Sequence, residues 1–466
     1  MHVRVVGTDL RTRIVRPRIP FDSGGQLLDE VLLAELSMDI QTSEGTRCTG
    51  RASDLLVPNW FERGDSTSYE EEAQALTRSA GQAADIATLL GQTAGAHPVF
   101  ELWSVVHSEH VGARIHRDPD ALVRGFGVAL VERAMIDATC RAAGCSLDRA
   151  LRSGLLGFSP RRLAGEAAAW TPDRLPASRT EIEVRHTVGV QDPLTEVELS
   201  GNGRNEDGLP ESLQENVRRY GLRRFKIKLS GELDLDAGRL RDVARIIAGE
   251  AVVDARFTLD GDERYRDLDA LAGLLEDLGT DPVARGLIER LELIAQPLPR
   301  SETFDTEANR PLGRLGRVAP VIIDEADTDP DAFRQAIALG YAGVGIKACK
   351  GVFRAVANRA LIDVRRDRGE GSLFQSGEDL CNLGATPLQQ DLALQAALGM
   401  IDVERNGHHR FRGLDHLPAD AGKALAERLP HLYVREQGCT RVRIERGLLD
   451  LREVVDGPGF GGFPGP

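Results

Sequence analysis

The chain has 466 residues, of which 41% are apolar and 28% charged, and it carries a net charge of −14. It is long enough for two or three domains of about 150 residues and apolar enough to bury a core. The acidic balance argues against a nucleic-acid binder, and an aromatic content of 5% argues against stacking platforms for single strands, while a local basic pocket for an anionic substrate stays possible.

Six cysteines (Cys48, Cys140, Cys145, Cys349, Cys381 and Cys439) lack zinc-type spacing, which points to a reduced, cytoplasmic protein. No apolar run reaches the length of a membrane span and no signal-peptide core opens the chain, so neither secretion nor a membrane partner is expected.

In chain order, residues 3–6 and 27–41 read as strands around a Gly24-Gly25 turn, and 39–45 as strand then turn. Residues 70–93 place Leu76, Ala80, Ala83, Ala87 and Leu90 at helical spacing. Residues 128–143 do the same with Val128, Val131, Met135 and Ala138, and Gly144 stops that helix. A sheet followed by helices makes residues 1–125 an α+β domain.

From about residue 180, strands and helices alternate. Strands are expected at Glu181–Gly189, Arg224–Leu229, Arg256–Asp260, Leu291–Ala295, Val318–Asp324, Ala342–Lys347, Ser372–Gln375 and somewhere in 398–403. Helices are expected at Leu213–Tyr220, 236–248 and 267–277. Each step holds one strand, one helix and two loops, which matches a closed (β/α)8 barrel over residues 126–416. An open doubly wound sheet is the alternative, but it carries a Gly-rich first turn, and the only G-x-G-x-x-G here, Gly457 to Gly462, lies in the last ten residues. Residues 417–466 form a tail with a strand from Cys439 and a Gly/Pro-rich end, expected to return to the N-terminal domain.

Residues two apart on a strand share a face, so Lys226 and Lys228 lie together, and two adjacent ammonium groups are expected to lower the pKa of at least one. A lysine so tuned serves as a general base or as a Schiff-base nucleophile. Barrel chemistry sits at the C-terminal ends of strands. Four predicted strands end on ionisable residues there: Lys228, Asp260, Asp324 with Glu325, and Lys347. Carboxylates from neighbouring strands suit Mg²⁺, a Lewis acid for an enediolate, and lysines across the ring can reach opposite faces of one carbon.

Lys226-Ile-Lys228, Leu259-Asp-Gly-Asp-Glu263, Ile294-Ala-Gln-Pro-Leu298, Ile323-Asp-Glu-Ala326 and Gly345-Ile-Lys-Ala-Cys-Lys350 together resemble the enolase superfamily. Within it they resemble the mandelate racemase/muconate lactonizing enzyme family, in the muconate-lactonizing branch with two opposed lysines. The resemblance implies an α+β capping domain, a modified (β/α)7–8 TIM barrel and a C-terminal segment packing on the cap. It implies Mg²⁺-assisted abstraction of the proton alpha to a carboxylate, leading to racemisation, epimerisation, cycloisomerisation or dehydration of a small-molecule carboxylate by a homo-oligomer.

Carried over by residue, Lys228 is the acid or base on one face with Lys226 beside it. Lys347 is its opposite number, preferred to Lys350 because it ends the apolar strand. Asp260 and Asp324 are the metal ligands. Gln375, Ser376 and Glu378 lie near the substrate, as does Phe21 in the Pro20–Gly25 loop. The sequence departs from the family at Ala295, where a glutamate ligand is expected; Asp262, Glu325 or Gln296 are the oxygen donors that could replace it. Two alternatives stay open: a Schiff-base lysine enzyme on the same barrel, and a catalytically altered or silent relative. His186, the Asn406–His409 cluster and Cys349 read as packing residues, with a substrate-lining role also open for the cluster.

Overall fold

Alternating burial writes the first sheet: β1 (Val3–Val15), β4 (Val31–Thr42) and β5 (Arg47–Leu55) form an antiparallel sheet in the order β1-β4-β5, with β2 (Phe21–Ser23) and β3 (Gln26–Leu28) as a short hairpin between β1 and β4. The structure, a computed structural model, describes residues 1–23, 26–57, 59–62, 68–112, 120–199 and 204–463. The predicted Gly24-Gly25 turn therefore lies outside the described residues. β1 runs well past the expected end at residue 6. It is an edge strand held by its ladder to β4 from Gly7 to Val15, so its outer positions need no apolar pattern.

α1 (Tyr69–Thr93) and α3 (Ala121–Ala142) cover this sheet, and α2 (Val99–His110) packs on both of them. Ser68 opens α1 with a capping box to Glu71. The sequence reading did not anticipate α2, whose Val99, Phe100, Leu102, Trp103 and Val106 are buried. α3 is buried on nearly every side because it packs on α1, β4 and β5 while also meeting residues 348–350 of the barrel. A domain division at 125/126 falls inside this one continuous helix.

Eight parallel strands follow: β6 (Glu181–Val188), β7 (Arg224–Lys228), β8 (Arg256–Asp260), β9 (Leu291–Ala295), β10 (Val321–Ile323), β11 (Gly343–Ile346), β12 (Phe374–Gly377) and β13 (Asp402–Arg405). Each pairs with the next, and β13 pairs with β6, so the barrel is closed. The fold is thus the expected capping domain plus TIM barrel. Leu213–Tyr220 is a helix with the expected bounds, capped by Ser212 and by Gly221 in the left-handed region.

Three strands sit later than expected. Leu312–Val318 is helical and stops before Pro320, which disfavours helical backbone at Ala319, so β10 starts at Val321. Left-handed glycines, Gly371 and Gly399, spend residues on turns before β12 and β13.

The tail first serves the barrel. β14 (Tyr433–Glu436) and β15 (Cys439–Val442) form a hairpin, and β16 (Leu448–Asp450) pairs antiparallel with β6. Its end reaches α3, where Phe460 N–H donates to Asp137 Oδ1 at 2.7 Å and Arg141 to the Gly462 carbonyl at 3.0 Å. Among the described residues no helix is long and apolar enough to cross a membrane.

Candidate active site

A TIM barrel interior is ordinarily filled by branched apolar side chains. Here one part is: Leu293, Ala295 and Ile322 pack with Phe374. The rest is ionic. Arg185, Lys226, Asp260, Glu378 and Glu404 each have side chains no more than 3% exposed. Lys226 Nζ lies 2.9 Å from Asp260 Oδ2 and 2.9 Å from Glu404 Oε2, and it also donates to Glu378 Oε2. Glu378 Oε1 accepts from Arg185 at 2.8 Å and Ser376 at 2.6 Å. Glu404 Oε1 accepts from Thr187 at 2.7 Å.

Lys228, one pleat above Lys226, ion-pairs with Asp260 Oδ2 at 2.8 Å and donates to Asp262 Oδ1 at 3.0 Å. Across the ring Lys347 donates to Asp324 Oδ2 at 2.5 Å and lies 4.3 Å from the centre of the Trp60 ring. Lys350 sits beneath, donating to Asp324 Oδ1 at 3.1 Å and the Gly345 carbonyl at 2.6 Å. Gly345 is required here: a Cβ at that position would stand 2.7 Å from Asp324 Oδ1. The reading of Lys347 as the residue at the strand end holds geometrically, with Lys350 tied to backbone below it.

The expected lowering of a lysine pKa does not occur. Burial pulls Lys226 and Lys228 down, and the Lys226 charge also opposes that of Lys228. The carboxylates outweigh both effects: Asp260, Glu378 and Glu404 on Lys226, Asp260 and Asp262 on Lys228. Both stay above the ordinary lysine value. Lys347 follows the same balance, burial against Asp324 and Glu325. Burial would raise Asp260 and Asp324, but Lys226 with Lys228, and Lys347 with Lys350, hold them below the carboxylate range. Glu325 goes the other way. Burial and the neighbouring Asp324 lift it to about 7, and its Oε2 is buried with no hydrogen-bond partner.

The aspartates expected to bind Mg²⁺ do not fit a divalent cation. Asp260 Oδ1 accepts the Asp262 N–H at 2.9 Å, so with the lysine contacts all four oxygens of Asp260 and Asp324 already face protein donors. Ala295 stands in register between Asp260 and Ile322 and offers a methyl. Gln296 is no substitute, because its Oε1 accepts from the N–H groups of Asp324 at 2.8 Å and Ala326 at 3.1 Å. Asp262 binds Lys228 and, at 3.0 Å, Arg264. Among the described residues no group of three His, Cys, Asp or Glu side chains is arranged for a metal ion.

A cavity of about 520 Å³ opens over the strand ends, within the size of small-molecule sites. Lys226, Lys228, Asp262, Lys347 and Glu404 line its floor; Phe21, Leu27 and Trp60 of the cap line its roof. Phe21 thus reaches the mouth as expected, with Arg410 5.8 Å from its ring centre. Gln375 does not. Its amide donates to the Ala355 carbonyl at 2.8 Å, toward the helix layer, because side chains alternate along β12 and Ser376, its neighbour, takes the inner face. Ser376 and Glu378 belong to the buried ionic network rather than to the cavity wall.

Sequence reasoning missed Glu404, Arg410 and Trp60. Glu404 lies inside β13, Asp402-Val-Glu-Arg405, where three of four residues are ionisable, so the signal of an ionisable residue ending an apolar strand is absent there. Trp60 carried no spacing signal. His186, His408 and His409 pack against one another with ring centres 5.3 and 5.4 Å from His186, and burial holds His186 near pKa 4.

No family model matches the sequence. The L-Lys-D/L-Arg epimerase of Methylococcus capsulatus is 30% identical over 281 residues, covering 53% of this chain and 71% of that protein. The solved enolase from Bradyrhizobium, complexed with magnesium and mandelic acid, superposes with a TM-score of 0.59 at 15% identity over 99% of this chain and 96% of that one. The dipeptide epimerase from Enterococcus faecalis, complexed with Mg and the dipeptide L-Leu-L-Tyr, gives 0.58 at 12% identity over 98% of both. A mandelate racemase/muconate lactonizing protein from Herpetosiphon aurantiacus gives 0.54 at 15% identity, over 96% of this chain and 98% of that one. With its closed barrel, its cap and this likeness, the chain belongs to the enolase superfamily, in the mandelate racemase/muconate lactonizing enzyme family.

Proposed function

We propose that the chain is a racemase or epimerase that moves the proton on a carbon alpha to a carboxylate. One observation carries this reading: Lys228 and Lys347 come from the second and sixth strands of a closed ring of eight, and so from opposite sides, yet both line one cavity. Inverting a stereocentre needs an acid and a base on opposite faces of one carbon, and this arrangement supplies two candidates. One lysine must be a neutral amine to take the proton while the other stays an ammonium to return one. Asp260 and Asp324 hold both as ammonium ions, so the active form arises by loss of one proton and the rate rises with pH. Lys226, held as an ammonium, lies beneath both lysines with its N–H groups turned to Asp260, Glu378 and Glu404. Magnesium has no part in this reading, because the donor set does not fit it.

The Schiff-base alternative needs the same neutral lysine but gives the second lysine across the cavity no role. The named relatives, a Lys–Arg epimerase and a dipeptide epimerase, make dipeptides the first substrates to assay. The test is proton NMR in D2O with L,L- and L,D-dipeptide libraries including cationic ones. Exchange at one α-carbon with inversion is expected. Exchange at no substrate carbon would favour the silent relative.

A further inference from the structure

We propose that Lys226 is the resident cation of this active site, its ammonium filling a three-carboxylate cage built by Asp260, Glu378 and Glu404 and taking the place of a divalent ion.

The cage comes from three strand ends. Asp260 closes β8, Glu378 follows β12 and Glu404 lies in β13, and all three converge on Lys226 Nζ from β7. Converging carboxylates in a dry interior require a cation, since unpaired they repel and lose hydration. One internal ammonium meets that requirement without an ion from solution.

The cage is also held from outside. Asp260 Oδ1 is fixed by the Asp262 N–H at 2.9 Å, Glu378 Oε1 by Arg185 and Ser376, and Glu404 Oε1 by Thr187. The Asp379 N–H also donates to Glu404 Oε2 at 3.0 Å. Outer contacts of this kind orient ligands around a cation. Ala295 fits the same picture: with a lysine inside, a further carboxylate at that position has no cation to bind.

The inference rests on reading this cavity as the active site only for what the charge does there; the cage itself is tested without turnover. Chelator-stripped protein is titrated with Mg²⁺ and Mn²⁺ by calorimetry, with Mn²⁺ binding also followed by electron paramagnetic resonance. The parent protein is expected to give no saturable binding. Lys226→Ala empties the cage and is expected to bind Mn²⁺ roughly tenfold tighter than the parent or better, with Glu378→Gln in that background reversing the gain. Saturable Mg²⁺ binding by the parent that Asp260→Asn abolishes would overturn the proposal, as would a folded Lys226→Ala protein that gains no affinity.

Should Lys226→Ala fail to fold, ¹⁵N-lysine-labelled parent protein decides. A slowly exchanging ammonium signal, assigned by its loss in Lys226→Arg and unmoved by Mg²⁺, supports the cage; a signal that is absent or shifts with Mg²⁺ rejects it. None of these readouts depends on a substrate, so failure of the cage and failure of the racemase reading are separable.

Discussion

The two sides of the cavity floor carry the same side chain in different surroundings. Lys228 is 27% exposed and held by two aspartates from its neighbouring strand and the loop after it. Lys347 is 4% exposed, holds one aspartate and lies under the Trp60 ring from the cap. One lysine is therefore open and doubly paired, the other closed and roofed by an aromatic ring. Two such lysines can serve opposite faces of a carbon without being interchangeable, and substrate handedness is where the difference should appear.

The sharpest break is to remove each lysine in turn. Lys228→Ala and Lys347→Ala should each reduce racemisation by about 10²–10⁴-fold, the usual range for a positioned acid or base. Each variant should keep α-proton exchange with only one substrate enantiomer, opposite for the two. Proton NMR in D2O with separate enantiomers reads this directly; full inversion by both variants would end the two-lysine mechanism.

Glu325 belongs to the Lys347 side, and its effect falls on stability. Its folded pKa of about 7 lies above the ordinary 4.5. Between those values the unfolded chain releases a proton that the fold retains, so stability falls as pH rises through the window, and the full penalty remains above it. Glu325→Gln removes the penalty. The variant should be more stable than the parent at pH 8, by at most about 3 kcal/mol, and the gain should vanish toward pH 4. Burial lifts Glu132 to about 8 and it acts in an overlapping window, so the quantity to follow is the difference between the two proteins' melting temperatures across pH.

Trp60→Ala removes the roof over Lys347 alone. A cation–π contact at this distance is worth about 0.5–2 kcal/mol, roughly a two- to thirtyfold effect. The loss should appear in exchange of the enantiomer served by Lys347, and equal losses with both enantiomers would make Trp60 a general wall of the cavity.

The sequence made the barrel legible because its period is repeated and its strands end abruptly: Arg256–Asp260 and Leu291–Ala295 have the expected bounds. The strand-end rule located Lys228, Asp260, Asp324 and Lys347 for the same reason. It failed at Gln375 and Glu404, where glycine turns moved the strands two or more residues along the chain, so the residues at their ends are not the expected ones. What no local pattern carried was pairing. Two lysines on one face suggested repulsion and a lowered pKa; the partners that reverse this, Glu378 and Glu404, lie over 150 residues away. The cap residue Trp60 was hidden likewise, since its place over Lys347 depends on how two domains dock.

Asp262 gives the smallest and most local test of the asymmetry. It touches Lys228 and Arg264, and its negative charge adds to that of Asp260 in holding Lys228 above the ordinary lysine range. Its backbone, at φ 48°, lies in the left-handed region, where Asp and Asn are the side chains best tolerated, so Asp262→Asn keeps the turn while deleting the charge. Removing an anion from beside an ammonium lowers that ammonium's pKa. Lys228 should then reach its neutral, base form at lower pH, and exchange with the enantiomer that gives its proton to Lys228 should begin its alkaline rise earlier than in the parent. Lys347 keeps its own partners, so the profile for the other enantiomer should not move. A shift of both profiles would mean that the two lysines titrate as one unit through the buried network and that the sides of the cavity are electrostatically joined; a shift of neither would mean that Asp260 alone sets the protonation of Lys228.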